Sequence, residues 1–291
     1  MNLERLTPSP SCRSLLVTPA VHIDRFHLAA HTADVHLVDL EDSVPWDRKD
    51  EARSHVCSIA DRSPDKRFSL RINSLRCAAG QRDLLTVIDH RVRPEILVIP
   101  KVESPEEIAI IADSLDDAGC DTYLWALIES VRGVDAAAEI AQASNRISAL
   151  TFGLADYCAE TGTAMQWDAL IVPRSRIASA ARCAGLDAVD GPTFALDDQS
   201  ELRSDSIRAS SLGYTGKIAV HPAQVAVINE AFTPDPAEVA RAERIVAAFA
   251  NDQRGIITFE GQMLGPPILR QAQMIVRRAK KGDINATASS I

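Results

Sequence analysis

A (β/α)8 TIM barrel with a C-terminal helical extension is the fold this sequence predicts, and three observations predict it. Eight short apolar runs alternate with segments of helical period between residues 12 and 222, the pattern of parallel strands joined by crossover helices. Hydrophobic residues make up 46% of the 291 but aromatics only 4%. The core is therefore built of Ala, Val, Ile and Leu, as buried parallel sheets are. The unusual polar residues sit just past the C-terminal ends of the runs, where a barrel carries its working side chains. A doubly wound open sheet is the runner-up, but no Gly-x-Gly-x-x-Gly follows the first run.

The elements follow in order. Residues 1–11 are polar and Pro-rich and read as a loose arm. SLLVT (14–18) is the first strand, and VHLVDL (35–40) is the second and runs into Glu41, Asp42 and Ser43. RFSLRI (67–72) is the third, ending at Arg71 and Asn73, and EILVIP (95–100) is the fourth, followed by Lys101. TYLWALI (122–128) leads to Glu129 and ISALTFG (147–153) to Asp156. LDAVDG (186–191) and GKIAV (216–220), followed by His221, complete the eight. Of the helical segments, 104–119 opens with Ser104, Pro105 and Glu107, a capping-box pattern with Pro at the first helical position. That segment and 173–185 both stop on Gly. The barrel domain is expected over 12–222 and the extension over 223–280. The extension has two helical patterns split by Thr233-Pro234-Asp235-Pro236 and a third from about residue 267, which suits a cap or an oligomer contact. Residues 281–291 read as a disordered tail.

The formal charge is −9, from 31 basic and 40 acidic residues, which argues against nucleic acid as a partner. The six cysteines (Cys12, Cys57, Cys77, Cys120, Cys158 and Cys183) form no CxxC pair. Reduced thiols in a cytoplasmic protein are the expectation, rather than zinc or a disulfide framework. The first residues have no apolar h-region and no run reaches about 18 apolar residues, so neither export signal nor membrane partner is expected.

Glu129 and Asp156 are a different kind of carboxylate from those scattered over the surface. Each closes a buried strand unit, the two units are successive, and both can converge on one divalent cation. Mg2+ is typically held by one or two carboxylates with water and substrate oxygens. Lys101 also follows an apolar strand. Burial would lower its pKa and suit a Schiff-base nucleophile, but beside the acidic pair it reads instead as an electrostatic partner of Glu129 or Glu41. His22, His27, His31 and His36 are spaced so as to spread over a helix and the next strand, and read as solvated surface. His221 reads as a loop-shaping residue.

RSLLVTP (13–19), VDLEDSV (38–44) with KDEAR (49–53), LRIN (70–73), VIPKVES (98–104), LIES (127–130), FGLADY (152–157), RSRIASAARCAGLDAVDGP (174–192), GYTGKIAVHPAQ (213–224) and GQMLGPP (261–267) occur in this order. Together they resemble the citrate lyase β-subunit-like family of the HpcH/HpaI aldolase superfamily, over roughly residues 12–280. The resemblance implies a TIM barrel with a C-terminal extension, assembled as a homotrimer or hexamer. It implies a Mg2+-dependent carbon–carbon lyase acting on a small hydroxy-acid or hydroxyacyl-CoA compound, with a 2-oxo acid (pyruvate, glyoxylate or oxaloacetate) as one partner. Hydrolysis of a related thioester, and metal and ligand binding without turnover, are the alternatives. Carried over by motif, Glu129 and Asp156 match the metal ligands. Arg71 matches the arginine that holds a substrate oxygen near the metal, with a salt bridge to Glu41 or Asp42 as its plain alternative. Glu41 and Asp42 match acids that orient metal-bound water, and Arg13, Lys49 and Arg53 would face CoA phosphates. One position departs from the family pattern. In G-x-M-[IV]-D-x-P the aspartate reaches the neighbouring subunit's site as an acid/base, and Gly265 stands in its place, with Glu260 five residues earlier.

Overall fold

The computed structural model describes residues 12–22, 33–62, 68–89, 91–250 and 255–288, of which 59–62 and 280–288 are described by backbone alone. The chain divides into two units, Met1–Asn229 and Glu230–Ile291.

The first unit holds eight parallel strands closed into a barrel. They are β1 (Ser14–Pro19), β2 (Val35–Asp39), β3 (Ser69–Arg71), β4 (Ile96–Ile99), β5 (Tyr123–Ile128), β6 (Ile147–Phe152), β7 (Asp187–Asp190) and β8 (Gly216–Ala219). Strand order follows the sequence, and β8 pairs back onto β1 through Leu15↔Ile218. Every strand lies on its expected run, within two residues at each end. Side chains two apart line the interior: Ile96 with Val98, and Trp125 with Leu127, against Leu15, Leu37, Ala149 and Val189. Each large aliphatic chain buried here is worth about 1.5–3 kcal/mol over exposure. Between β5 and β6 the register shifts at Leu124/Trp125 and then runs unbroken to Ile128↔Phe152. Glu129 is thereby brought opposite Gly153.

The strands are joined by α1 (Lys49–Arg62), α2 (Ala78–Ile88), α3 (Pro105–Asp117), α4 (Val131–Asp135), α5 (Ala137–Ile140), α6 (Leu154–Thr161), α7 (Ile171–Ala184) and α8 (Gln199–Leu212). Gly119 and Gly185, at φ +63° and +72°, end α3 and α7 as expected. The capping box of α3 differs. Ser104 makes no side-chain cap bond, and Glu107 accepts instead from the Glu103 N–H at 2.9 Å.

α9 (Pro222–Phe232) carries the division between the units, so the boundary falls inside a helix rather than at the expected 222/223. The second unit contains α10 (Pro236–Ala250), the antiparallel pair β9 (Ile257–Phe259) and β10 (Gln262–Leu264), and α11 (Pro266–Ala288). Ala242, Ile245, Ile257, Leu264 and Ala272 form its core. Two corrections arise here. The helix runs to Ala288, where a disordered tail was expected from 281. A lone Gly282 costs a helix only about 1 kcal/mol and does not end it. The hairpin was not foreseen, although its signal was present. Glu260 and Gly261 both take positive φ, +49° and +76°, as the two-residue turn of a tight hairpin requires.

Candidate active site

The C-terminal ends of β2 to β6 deliver the working groups, three from β2 and one from each of the others. β2 ends on Asp39, which is fully buried. Its carboxylate accepts the Glu41 and Ser43 N–H groups at 2.9 and 3.1 Å, and the Ser43 hydroxyl as well. These bonds shape the loop that carries Glu41 and Asp42. Arg71, the last residue of β3, binds Asp39 bidentately, Nε to Oδ1 at 2.6 Å and Nη2 to Oδ2 at 2.7 Å. Its remaining Nη1 lies 3.1 Å from Glu41 Oε2. Burial pushes the Asp39 pKa up, but Arg71 and Ser43 outweigh it and hold the carboxyl below its ordinary range. The Arg71 guanidinium is thereby a fixed cation of set orientation.

Lys101 follows β4 with φ +57°. This left-handed backbone is costly for a residue with a side chain and is characteristic of functional sites. It turns the Lys101 N–H onto Glu129 Oε1 at 2.8 Å. The ammonium then lies 3.0 Å from Glu41, 3.4 Å from Asp156 and 3.7 Å from Asp42. Burial works against its charge, but Glu41 and the other carboxylates raise its pKa above the ordinary value. The ammonium thus stands as an electrostatic partner of the carboxylates around it.

Glu129 lies at the end of β5 and is buried. Desolvation first, then Glu41 and Asp156, push its carboxyl well above the ordinary range. Glu41 is also raised, first by burial. Asp156 lies in the first turn of α6, where the helix dipole favours a carboxylate. Gly153 leaves the space that Glu129 occupies. A Cβ built on it would come within 2.5 Å of the Glu129 Cβ and closer still to its carboxylate. Gly153→Ala is therefore expected to displace Glu129. Calorimetric titration with Mg2+ should show affinity down at least about tenfold, with about 1–3 kcal/mol of stability lost to overpacking. Unchanged affinity would show that no cation depends on Glu129 in this position.

Arg71, Glu129, Asp156 and Asp42 line the mouth of a cavity of about 350 Å³ whose deeper wall is apolar. Among the described residues, five carboxylates (Asp39, Glu41, Asp42, Glu129 and Asp156) meet three cations here, Arg71, Lys101 and the buried Lys49, and Arg71 is committed to Asp39. This excess, with two carboxyls pushed up by burial and by neighbouring carboxylates, is the environment a divalent cation relieves. Among the described residues, no group of three His, Cys, Asp or Glu side chains encloses a metal. The donor set fits a hard cation held by two carboxylates, with the other positions left to water and substrate.

Glu41, Asp42, Arg71, Lys101, Glu129 and Asp156 are thus brought together. Arg13, Lys49 and Arg53 are not. Arg13 precedes β1, at the opposite end of the barrel, and forks onto Asp34 at 2.8 Å. The Lys49 ammonium is buried and donates to the Leu40 and Glu41 carbonyls, both at 2.7 Å. Arg53 pairs with Asp83 and Asp50. Arg13 thus lies away from the site, and Lys49 and Arg53 are engaged by partners within the chain; a CoA-phosphate role for the three rests on the resemblance alone. His221 accepts from the Ala223 N–H at 3.2 Å and shapes the start of α9. His22 is exposed and His36 is half-buried on β2, while His27 and His31 lie outside the described residues. Glu260 pairs with Arg244 and Arg241, which hold its carboxyl below the ordinary range. Sequence reasoning missed Asp39, the acid that orients Arg71. The available signal was an acid inside an apolar run, a residue type almost never fully buried unless paired.

A closed parallel barrel with a cluster of carboxylates at the strand C-termini defines the class. The particular family follows from comparison: residues 19–222 match the HpcH/HpaI aldolase/citrate lyase family, and the chain belongs to it. It is similar to the mitochondrial citramalyl-CoA lyase of Rattus norvegicus, 33% identical over 84% of this chain and 79% of the relative. The L-malyl-CoA/beta-methylmalyl-CoA lyase of Rhodobacter capsulatus is 32% identical over 88% and 91%. Among solved structures, CitE from Mycobacterium tuberculosis, in complex with magnesium, acetoacetate and coenzyme A, superposes with a TM-score of 0.78. It is 30% identical, over 94% of this chain and 99% of that one.

Proposed function

We propose that this chain is a Mg2+-dependent carbon–carbon lyase that cleaves, or forms, a hydroxyacyl-CoA compound with a small 2-oxo acid as one partner. The observation that carries the reading is the convergence of Glu129, held by the Lys101 backbone N–H, and Asp156, paired with the Lys101 ammonium, beside the fixed guanidinium of Arg71. When bound, Mg2+ supplies Lewis-acid stabilisation of negative charge on the oxo acid's oxygens. Glu129 and Asp156 hold it. Arg71, locked by Asp39, presents positive charge to the substrate oxygen on which negative charge grows. Glu41 and Asp42 orient bound water, and Lys101 balances the carboxylates. The magnesium and coenzyme A of the CitE complex, and the lyase activities named for the two relatives, support this assignment. A homotrimer or hexamer and a cytoplasmic location belong to the same proposal. Among the described residues no helix is long and apolar enough to cross a membrane.

Calorimetric titration tests the reading. With Mg2+ present, one of pyruvate, glyoxylate or oxaloacetate should bind, and binding should vanish when the metal is chelated. Failure of these three and of every other small 2-oxo acid to bind would sink the proposal. Gly265 favours a second reading, a member that binds metal and acid without turnover. It offers no proton-transfer group, although an added Cβ would meet only Pro267 Cδ, at 3.7 Å, among the described residues. Metal-dependent binding with no cleavage of any hydroxyacyl-CoA would move the assignment there.

A further inference from the structure

Below the carboxylates the wall of the cavity is apolar, formed by Leu15, Val17, Leu37, Val98, Leu127 and Ile218. Thr151 of β6 stands in this wall. It pairs in register with Leu127 on one side and Val189 on the other, both members of the interior layer. It is 1% exposed, and its Oγ1 has no hydrogen-bond partner among the described residues. A buried hydroxyl left unpaired is destabilising, and valine would fill the same space without that cost. The hydroxyl thus serves nothing in the fold, and Thr151 belongs to the cavity wall.

On the lyase reading above, the cation and Arg71 hold the two oxygens of the oxo acid at the mouth. The acyl partner also approaches through the mouth, against the face of the keto carbon. The part of the acid left to turn toward the wall is the substituent on that carbon. We infer that Thr151 is a specificity-determining residue. Its hydroxyl hydrogen-bonds an oxygen on this substituent, so the site prefers a 2-oxo acid whose third carbon carries a hydroxyl over one with a bare methyl. A site built to pair a substrate hydroxyl discriminates against the analogue lacking it, because its own buried group is then stranded.

The test is calorimetry on the full chain with Mg2+, using hydroxypyruvate and pyruvate as probes, for the parent, Thr151→Val and Thr151→Ser. The parent should bind hydroxypyruvate at least about tenfold more tightly than pyruvate. Thr151→Val should weaken hydroxypyruvate by about ten- to a hundredfold while pyruvate holds or improves. Thr151→Ser should keep the preference, and Mg2+ affinity should be equal in all three. An unchanged preference in Thr151→Val, or a parent that binds pyruvate as well as hydroxypyruvate, overturns the role of Thr151 and leaves the lyase reading standing. A parent that binds neither of these acids nor any other 2-oxo acid overturns both.

Discussion

Glu129→Gln is expected to lower carbon–carbon cleavage by about a thousandfold or more, or about 4 kcal/mol of barrier. The substitution isolates the charge. Glutamine has the same length and keeps a carbonyl oxygen, so the 2.8 Å bond from the Lys101 N–H can persist, and with it the left-handed turn at Lys101. What is lost is one of the two carboxylates available to a hard cation, and amide oxygen is a weaker donor. Titration with Mg2+ and the preferred oxo acid should therefore lose its heat together with the activity. The folded state should be intact, because a neutral side chain removes a buried charge that faces Glu41 and Asp156. A melting temperature within about 3 °C of the parent, the shift made by roughly 1 kcal/mol in a domain of this size, would show it. A variant that keeps a tenth of parental activity would remove Glu129 from the metal site and with it the mechanism above.

The barrel was legible because its strands are short, largely apolar runs, and a polar residue marks the end of several of them. That same rule exposes Glu129, Asp156, Arg71 and Lys101, and it applied to Arg13 as well. A residue before the first strand lies at the wrong end, and motif resemblance overrode that geometry. Asp39 was hidden for a different reason. Asp39, Glu41 and Asp42 fall within four positions, and periodicity does not say which one turns toward Arg71 when the strand is ending. The left-handed backbone of Lys101 has no sequence mark either, since only the need to reach Glu129 imposes it. Gly153 could be read as a strand terminus but not as the space for Glu129, because that needs the register across β5 and β6.

The buried cluster behind the site is the other feature spacing could not reveal, and its disruption should have the largest effect on stability. Asp190, Lys217 and Arg174 come from β7, β8 and α7, and none is more than 3% exposed. Asp190 accepts Lys217 Nζ and Arg174 Nε, each at 2.8 Å. Lys217 also donates to the Gly191 carbonyl at 2.6 Å, and the Arg174 guanidinium lies 4.4 Å from the Trp167 ring centroid. Asp190→Asn should cost about 3–5 kcal/mol, because it strands two buried cations on one amide oxygen. The unfolding midpoint in denaturant at unchanged m-value measures this. Adding Lys217→Met should recover part of the loss, since an apolar side chain carries no uncompensated charge. A single variant within about 1 kcal/mol of the parent, beyond which surface-like substitutions seldom reach, would show that water or rearrangement screens the cluster. The pH dependence has a definite sign. Burial raises the Asp190 pKa, but Lys217 and Arg174 outweigh it and leave the carboxyl below its ordinary 3.8. Its contribution is then complete above that value and is lost as pH falls through the lower folded one. The parent should thus lose its advantage over Asp190→Asn only in strong acid. The consequence reaches the site, because Pro192 and Phe194, just beyond Asp190, line the cavity. A loosened β7 end should weaken oxo-acid binding even in molecules that remain folded.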